Sequence, residues 1–182
     1  MSATNTLQQD HIQARRIEKL ASKASQVLYT GGNVPFSDIQ KMIVIMAEFF
    51  DSIHYSREED SYFACVAGYN RLQDEVRVFM IEHEFGRRIA NKIKFHLEEW
   101  QNGKDSREPV ARFLRTYSIY LMDHLQKEDK FFQEASSTVL NKDEEVEMYN
   151  LFHSSDTINM KISEIVKEID NLENRSWYTQ SL

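Results

Sequence analysis

The sequence predicts an all-α protein, an up-down-up-down antiparallel four-helix bundle with an additional C-terminal helix. The 182 residues include only two prolines and five glycines, which favours long and rarely broken elements. Between the breaks, apolar residues recur at three- and four-residue spacing, which is the period of an amphipathic helix. Short connections between long helices favour antiparallel neighbours, so the first four helices are expected to form the bundle.

Glycine and proline divide the bundle into four helical segments. The breaks lie at residues 31–35, 68–70 and 102–109. The first two helices are expected to begin at Thr6 and Ser37, because each residue is followed three positions later by a glutamine that can close a capping box. The third and fourth helices fill the segments on either side of the last break. The clearest apolar stripe is on the second helix: Ile39, Ile43, Met46, Phe50 and Ile53.

A fifth helix is expected over residues 143–174. Asn141 and Glu144 can form a capping box at its start. The tail from Arg175 onward is expected to be frayed. One apolar stripe supports the helix: Ile158, Ile162, Ile165, Ile169 and Leu172.

Length, charge and cysteine content narrow the class of protein. A single domain is expected, with the bundle over residues 1–140 and the C-terminal helix and tail over residues 141–182. No charged leader with an apolar run and no membrane-spanning stretch is apparent, so a soluble cytoplasmic protein without a membrane partner is expected. A net charge of −7 and the lack of a basic aromatic face speak against nucleic-acid binding. The single Cys65 is expected to be a buried structural thiol, and the sequence does not indicate the oligomeric state.

One polar pattern occurs on both the second and the fourth helix. His54 precedes Glu58 by four residues, with a basic residue just before the glutamate and an acid just after it. His124 and Glu128 repeat this arrangement. Residues four apart share a helix face, so each pair projects in one direction. Either pair alone would be interpreted as a solvated ion pair, because glutamate is abundant in this chain.

A second pattern links the first and third helices. Residues 10–16 and residues 82–88 share the order acid, histidine, two variable residues, a small residue and two arginines. His11 and His83 therefore occupy equivalent positions. The offsets between matching motifs are nearly equal, so the chain is interpreted as a pseudo-repeat of two helical hairpins.

The positions of the turns place these motifs at one level of the bundle. In an antiparallel hairpin, residues equidistant from the turn lie side by side, because both helices rise equally per residue. The midpoints between successive motifs fall beside Gly32, within residues 68–70 and beside Gly103, where the helical pattern breaks. Six side chains are therefore expected to meet in the core: His11, His54, Glu58, His83, His124 and Glu128.

This set of side chains favours a metal centre. Burying so many polar groups is unfavourable unless they are paired or coordinate metal. Six imidazole and carboxylate ligands are too many for one tetrahedral zinc ion and suit two ions bridged by carboxylates. Iron fits this set best and manganese second. Each ion is expected to take two histidines and to share Glu58 and Glu128, with positions left for a bridging oxygen species and a small ligand.

Other residues are expected around this layer. The arginines either neutralise the bridging carboxylates or cap the polar end of the bundle, and the tyrosines are core residues or donors to a bound oxygen species. The glycine permits close packing or leaves room for a ligand channel. These five residues are Arg15, Arg87, Tyr62, Tyr120 and Gly86. Acids expected to contact another helix or solvent are Asp10, Glu82 and Asp123. A dry apolar wall is expected from Phe50, Phe79, Met80, Leu121 and Phe132.

These motifs resemble the hemerythrin-like, or HHE cation-binding, family of four-helix bundles. Residues 82–87, EHEFGR, look like the family's E-H-x-x-G-R segment on the third helix. Residues 124–129, HLQKED, look like its H-x-x-K-E-D segment on the fourth helix. Residues 54–59, HYSREE, look like H-x-x-K-E-E with arginine for lysine. His11 occupies the first-helix ligand position, and the resemblance covers roughly residues 5–135.

The resemblance implies a non-haem centre of two iron ions with an oxo or hydroxo bridge. Such a centre binds or senses dioxygen, nitric oxide or peroxide, and a redox partner is a further expectation. Two alternatives stay open at this point. One is a diiron enzyme that consumes peroxide or nitric oxide, or that donates iron for iron-centre repair. The other is a metal-dependent interaction module that uses the C-terminal helix.

Overall fold

Four long helices form the core of the structure, a computed structural model that describes residues 2–180. Helix α1 packs most extensively against α4, α3 packs against the other side of α4, and α2 closes the bundle between α1 and α3. The predicted all-α fold class is confirmed, since no strand occurs among the described residues. The four helices are α1, Ala3–Tyr29; α2, residues 36–68; α3, Gln73–Gln101; and α4, Arg107–Thr138.

The helices reverse direction at the predicted breaks. Gly31 and Gly103 follow α1 and α3 with φ angles of 85° and 87°. This left-handed conformation closes a helix C-terminus and strains any residue with a Cβ atom. The middle break is built differently, because Asn70 and Leu72 take the positive φ angles there.

Two of the three predicted helix starts were wrong by up to one turn. The hydroxyl of Ser2 caps α1 by accepting from a backbone N–H, so Thr6 lies inside the helix. Helix α2 begins directly after Pro35, whose fixed φ suits a helix start, and Ser37 lies within the first turn. The third start was right, because the Asn141 capping box is present.

Helix α2 departs from regular α-helical geometry in two stretches. Met46–His54 and Glu58–Tyr62 are π-helical, with wider turns than an α-helix. His54 ends the first stretch and Glu58 begins the second. The wider turns therefore flank this pair, and such turns are frequent at functional sites.

The C-terminal segment contains three helices where one was predicted. The continuous helix over residues 143–174 is interrupted at His153, Ser154 and Ser155. Serine side chains compete for backbone hydrogen bonds and favour helix ends, and this explains the break. The three helices are α5, Lys142–Phe152; α6, Asp156–Glu173; and α7, Ser176–Thr179.

The end of the chain packs on the bundle. Trp177 in α7 is 5 % exposed, and its indole N–H donates to Asp38 Oδ2 at 2.9 Å. The prediction of a frayed tail from Arg175 was therefore wrong up to residue 180, because the tryptophan finds both apolar contacts and an acceptor. Residues 181–182 lie outside the described residues.

The buried apolar side chains form two clusters. The larger contains most of α1, the first half of α2 and the start of α4, and the smaller contains the opposite end of the bundle. Cys65 is half-buried at the edge of the smaller cluster, so the prediction of a buried thiol was wrong. Among the helices of residues 2–180, none is both long and apolar enough to cross a membrane.

Candidate metal centre

The four bundle helices bring six polar side chains to one level. Each side chain is at most 1 % exposed, although none is apolar. The histidines on α2 and α4 each lie one helical turn before a glutamate, and this spacing turns both members of each pair inward. The six residues, here called the central layer, are His11 on α1, His54 and Glu58 on α2, His83 on α3, and His124 and Glu128 on α4.

Glu128 contacts histidines from three helices. Its Oε2 lies 3.3 Å from His11 Nε2 and 3.2 Å from His124 Nε2. Its Oε1 lies 3.3 Å from His83 Nε2. One carboxylate therefore faces ring nitrogens of α1, α3 and α4.

Glu58 makes the corresponding contacts from α2. Its Oε1 lies 3.3 Å from His54 Nε2, and its Oε2 lies 3.4 Å from His83 Nε2. The two glutamates thus meet around His83, which faces one oxygen of each.

The ligating atoms fall into two groups. Within each group, one atom from every residue lies within 4.8 Å of the others. The histidines of α1 and α2 belong to one group and those of α3 and α4 to the other, a division that the sequence alone left open. Glu128 belongs to both groups and is positioned between them. The groups are His11, His54, Glu58 and Glu128, and His83, His124 and Glu128.

Most polar atoms of the central layer lack a hydrogen-bond partner. Buried polar atoms are nearly always paired, and each unpaired one costs about 1–3 kcal/mol. Nitrogen and oxygen atoms that converge in one buried layer match the ligand set of a bound cation. The residues therefore fit a metal site. The unpaired atoms are His11 Nε2, both ring nitrogens of His54, both oxygens of Glu58, His124 Nε2 and Glu128 Oε2.

Three of the four histidines are held in one orientation by a carboxylate on another helix, which lies on the side of the ring away from the central layer. The Nδ1–H donates to the carboxylate, and this bond directs the Nε2 lone pair into the central layer. Histidines that bind metals are commonly oriented in this way. The three pairs are His11 with Asp129 at 2.7 Å, His83 with Glu59 at 2.7 Å and His124 with Glu82 at 2.8 Å.

The sequence anticipated one of these three acids. Glu82 was expected to contact another helix or solvent, and it contacts α4. Asp129 and Glu59 were missed. The signal was present, because each directly follows a glutamate of the central layer and forms part of the repeated motif.

His54 lacks such a bond. Its Nδ1 lies 3.5 Å from Asp10 Oδ2 and has no hydrogen-bond partner. Asp10 instead accepts from Arg57 Nη1 at 2.6 Å, and Arg57 Nη2 donates to the carbonyl of Phe152 at 3.3 Å. Burial lowers the pKa of His54 to about 4, so the ring is neutral at pH 7.

The two arginines pair with the outer acids and do not reach the glutamates of the central layer. Arg15 forms an ion pair with Asp129, which holds His11. Arg87 donates to Glu59 at 2.9 Å and thereby supports the acid behind His83. The predicted neutralisation of the bridging carboxylates was therefore wrong, and the alternative role of capping the polar end of the bundle stays a prediction. The pairs occupy equivalent positions in the two hairpins.

Two tyrosines stack on the histidines of α3 and α4. Tyr120 lies against His124 with ring centroids 5.4 Å apart, and Tyr55, which the sequence did not single out, lies 3.7 Å from the ring of His83. The two hydroxyls are 3.2 Å apart. A Cβ atom at Gly86 would come within 2.7 Å of the Tyr120 ring, so this glycine is required for close packing.

Tyr62 bonds away from the central layer. Its hydroxyl lies 2.6 Å from Thr4 Oγ1, which in turn donates to Glu145. The prediction of a dry apolar wall was wrong for one residue, Met80, which is 41 % exposed on the outer face of α3. The other four members are buried: Phe50, Phe79, Leu121 and Phe132.

The pKa values of the two glutamates of the central layer are shifted in opposite directions. Burial and the charge of Glu128 raise the pKa of Glu58 well above its ordinary value. Burial also opposes ionisation of Glu128, but His124, His11 and His83 hold its pKa well below the ordinary value. The two shifts have opposite directions because Glu128 faces three histidines, whereas Glu58 faces the charge of Glu128.

Comparison with known families agrees with this geometry. The profile of the family described as Hemerythrin HHE cation binding domain matches residues 2–135. The matched range covers α1, α2, α3 and nearly all of α4, and it includes the whole central layer. No curated protein and no solved structure matched the chain. The chain therefore belongs to the hemerythrin HHE cation-binding domain family and is a metal-binding helical protein.

Proposed function

We propose that the central layer holds two iron ions and that the protein binds or senses dioxygen, nitric oxide or peroxide. The observation that carries this proposal is the division of the unpaired nitrogens and oxygens into two groups that share Glu128. A carboxylate common to two groups suits a pair of neighbouring ions better than one ion. When bound, the iron supplies redox-active positions that take up a small ligand.

Each side chain has a defined part in holding the ions. The Nε2 atoms of the histidines and the glutamate oxygens are the ligands, and the Nδ1 bonds keep three of the rings in one tautomer. The mixed nitrogen and oxygen set suits iron, with manganese second. Six side chains do not fill the coordination of two such ions, so positions remain for the small ligand. One ion would take His11, His54 and Glu58, the other His83 and His124, with Glu128 between them.

Aromatic rings surround the central layer and restrict access to it. Each histidine faces at least one ring with centroids less than 6 Å apart. These contacts exclude water and leave room only for a small molecule, in agreement with a diatomic ligand or peroxide. The rings are Phe132 against His11, Phe49 against His54, Phe63 against His83 and Phe79 against His124.

A second candidate function is a metal-dependent interaction of the C-terminal segment. The carbonyl of Phe152 in α5 is bonded to Arg57, which holds the acid nearest His54. Metal bound at His54 would act on this connection. Deletion of residues 141–182 tests it, since association with a partner should then no longer respond to metal.

Elemental analysis tests the main proposal. Protein produced in iron-supplemented medium should contain about two irons per chain. Its near-ultraviolet absorption should bleach on anaerobic reduction and return in air. His54→Ala should lose iron, because it removes one of the proposed ligands. His96→Ala, a change outside the central layer, is the matched control and should retain the iron. Iron-free protein, or one iron per chain in the wild type, would refute the proposed centre.

A further inference from the structure

A cavity lies beside the central layer, between α2 and α3. Its volume is about 430 Å³. The inner end is formed by buried side chains, and the mouth is formed by exposed ones such as Gln40, Asn91 and Lys94. The buried side chains at the inner end are Met46, Phe50, Tyr55, Leu97 and Tyr117.

Aromatic rings shape the inner end. Phe50 lies 5.3 Å from Tyr55 and 6.3 Å from Tyr117 between ring centroids. These rings offer flat apolar surfaces, which favour a planar apolar molecule over a flexible polar one. The ring of Tyr55 also stacks on His83, so the cavity is separated from the central layer by the thickness of one ring.

Tyrosine hydroxyl groups occur at this inner end. Tyr117 lines the cavity and is 2 % exposed, and within residues 2–180 its ring packs against Phe50 and Tyr120. The hydroxyls of Tyr55 and Tyr120 lie 3.2 Å apart, so one of them donates to the other. Tyr117 lines the cavity and its hydroxyl is not one of the fully buried unpaired atoms, so this hydroxyl is open to the cavity and can donate to an acceptor oxygen bound there.

The charges around the cavity indicate that this oxygen is neutral. Arg87 is the cation nearest the inner end, and Asp51 and Glu59 already neutralise it. Lys94 is at the exposed mouth, where Glu98 is also present. A carboxylate at the inner end would therefore be buried without a counter-ion, which is costly, whereas a carbonyl oxygen needs only the hydroxyl donors.

We propose that this cavity binds a planar, mainly apolar molecule with a neutral carbonyl oxygen, as in aryl ketones and quinones. The carbonyl accepts from the Tyr117 hydroxyl, and the apolar body lies against Phe50. Neither Tyr117 nor Phe50 belongs to the central layer. The proposal is therefore independent of the metal centre.

Titration calorimetry on the protein as purified, with its metal, tests the chemical class. Three probes share one ring system: 2-acetylnaphthalene carries a ketone, 2-ethylnaphthalene carries no acceptor and 2-naphthoate carries a charge. We expect saturable binding of one ketone per chain, weaker binding of the ethyl compound by about threefold to tenfold, and still weaker binding of the carboxylate. No saturable ketone binding, or tighter binding of the carboxylate, would overturn the proposal.

Two variants locate the site. Tyr117→Phe removes one hydroxyl and should reduce ketone affinity to that of the ethyl compound, while ethyl binding stays unchanged. Tyr29→Phe, at an exposed tyrosine outside the cavity, is the matched control. Ala90→Leu fills the cavity and should remove binding of both probes. Equal ketone affinity in Tyr117→Phe and Tyr29→Phe would show that the hydroxyl does not recognise the ligand.

Iron content separates the two proposals. Tyr117→Phe should keep the iron of the wild type, because the aromatic contacts of Tyr117 among residues 2–180 are with Phe50 and Tyr120, which lie outside the two groups. Ketone binding in a protein without iron would refute only the proposed iron centre. An iron-loaded protein that fails to bind the ketone would refute only the cavity proposal.

Discussion

The two hairpins of the pseudo-repeat support their histidines through matching contacts. In each hairpin, the acid that follows the glutamate bonds the first-helix histidine of the other hairpin: Asp129 with His11, and Glu59 with His83. The basic residue that precedes each glutamate holds the acid before the first-helix histidine of its own hairpin: Arg57 with Asp10, and Lys127 with Glu82. The repeated basic and acidic positions therefore have a common structural use.

The hairpins differ at one bond. In the second hairpin, Glu82 also accepts from His124 Nδ1 at 2.8 Å. In the first hairpin, the equivalent Asp10 lies 3.5 Å from His54 Nδ1, too far for a normal hydrogen bond. The same sequence pattern thus gives His124 a hydrogen bond from its Nδ1 atom, and the equivalent atom of His54 has none.

The two acids and their basic partners also differ, because Asp10 is one methylene shorter than Glu82 and Arg57 contacts the C-terminal segment. Arg57 is buried, donates to the carbonyl of Phe152 and lies over its ring at 5.5 Å. Lys127 is exposed and forms ion pairs with both Glu82 and Asp123. The guanidinium group of Arg57 is therefore held by α5 as well as by Asp10, whereas Lys127 contacts acids of the bundle alone.

The largest effect on both hairpins is expected from Glu128→Gln. This residue belongs to both ligating groups, so its loss of charge should remove both ions, as measured by elemental analysis. Glu58→Gln should reduce metal binding mainly in the first group. The exposed Glu134, on the same helix, gives the matched control Glu134→Gln. Retention of half the metal in Glu128→Gln would contradict a shared role for this carboxylate.

Asp10→Ala should weaken the fold more than the metal site. It leaves the buried Arg57 without its partner, and breaking such a pair costs about 3–5 kcal/mol. Because Asp10 does not bond His54, metal affinity should change little. Urea unfolding of the metal-free protein and competition with a chelator measure the two effects separately. A large loss of affinity with an unchanged fold would show that Asp10 orients His54 in solution.

Glu82→Ala should weaken the metal site more than the fold. It removes the acceptor of His124, and loss of such a partner lowers metal affinity about 10- to 100-fold. The fold should be nearly unaffected, because Lys127 is exposed and remains hydrated. The same two measurements apply. Equal results for the two acids would mean that the 3.5 Å separation in the first hairpin has no consequence.

The sequence allowed the central layer to be predicted because three constraints agreed. Four-residue spacing turned each His–Glu pair to one side, the glycine breaks fixed the levels of the helices, and the repeat related the two hairpins. The division of the histidines into two groups depends on how four helices are arranged around an axis, and no pattern within one helix contains this information. The outer acids Asp129 and Glu59 were missed for the same reason, since their partners are on other helices.

The features outside the central layer were harder to predict for other reasons. The π-helical turns of α2 contain no residue type that distinguishes them from an α-helix, so the spacing of apolar residues does not reveal them. The docking of Trp177 depends on a single acceptor, Asp38, distant in sequence. The break at His153 could have been predicted locally, because the serines after it favour a helix end. The prediction of one continuous helix gave more weight to the apolar stripe.

The smallest effect concerns the small residue three positions after each first-helix histidine. Gly86 faces the Tyr120 ring, whereas the equivalent Ala14 is buried with its methyl group accommodated. Gly86→Ala should therefore destabilise the protein by about 1–3 kcal/mol through overpacking, as measured by urea unfolding. Gly68→Ala is the matched control, because no atom lies within 4 Å of the place that an added methyl group would occupy, and it should change stability little. A stable Gly86→Ala variant would mean that Tyr120 moves freely, and the two hairpins would then be equally tolerant at this position.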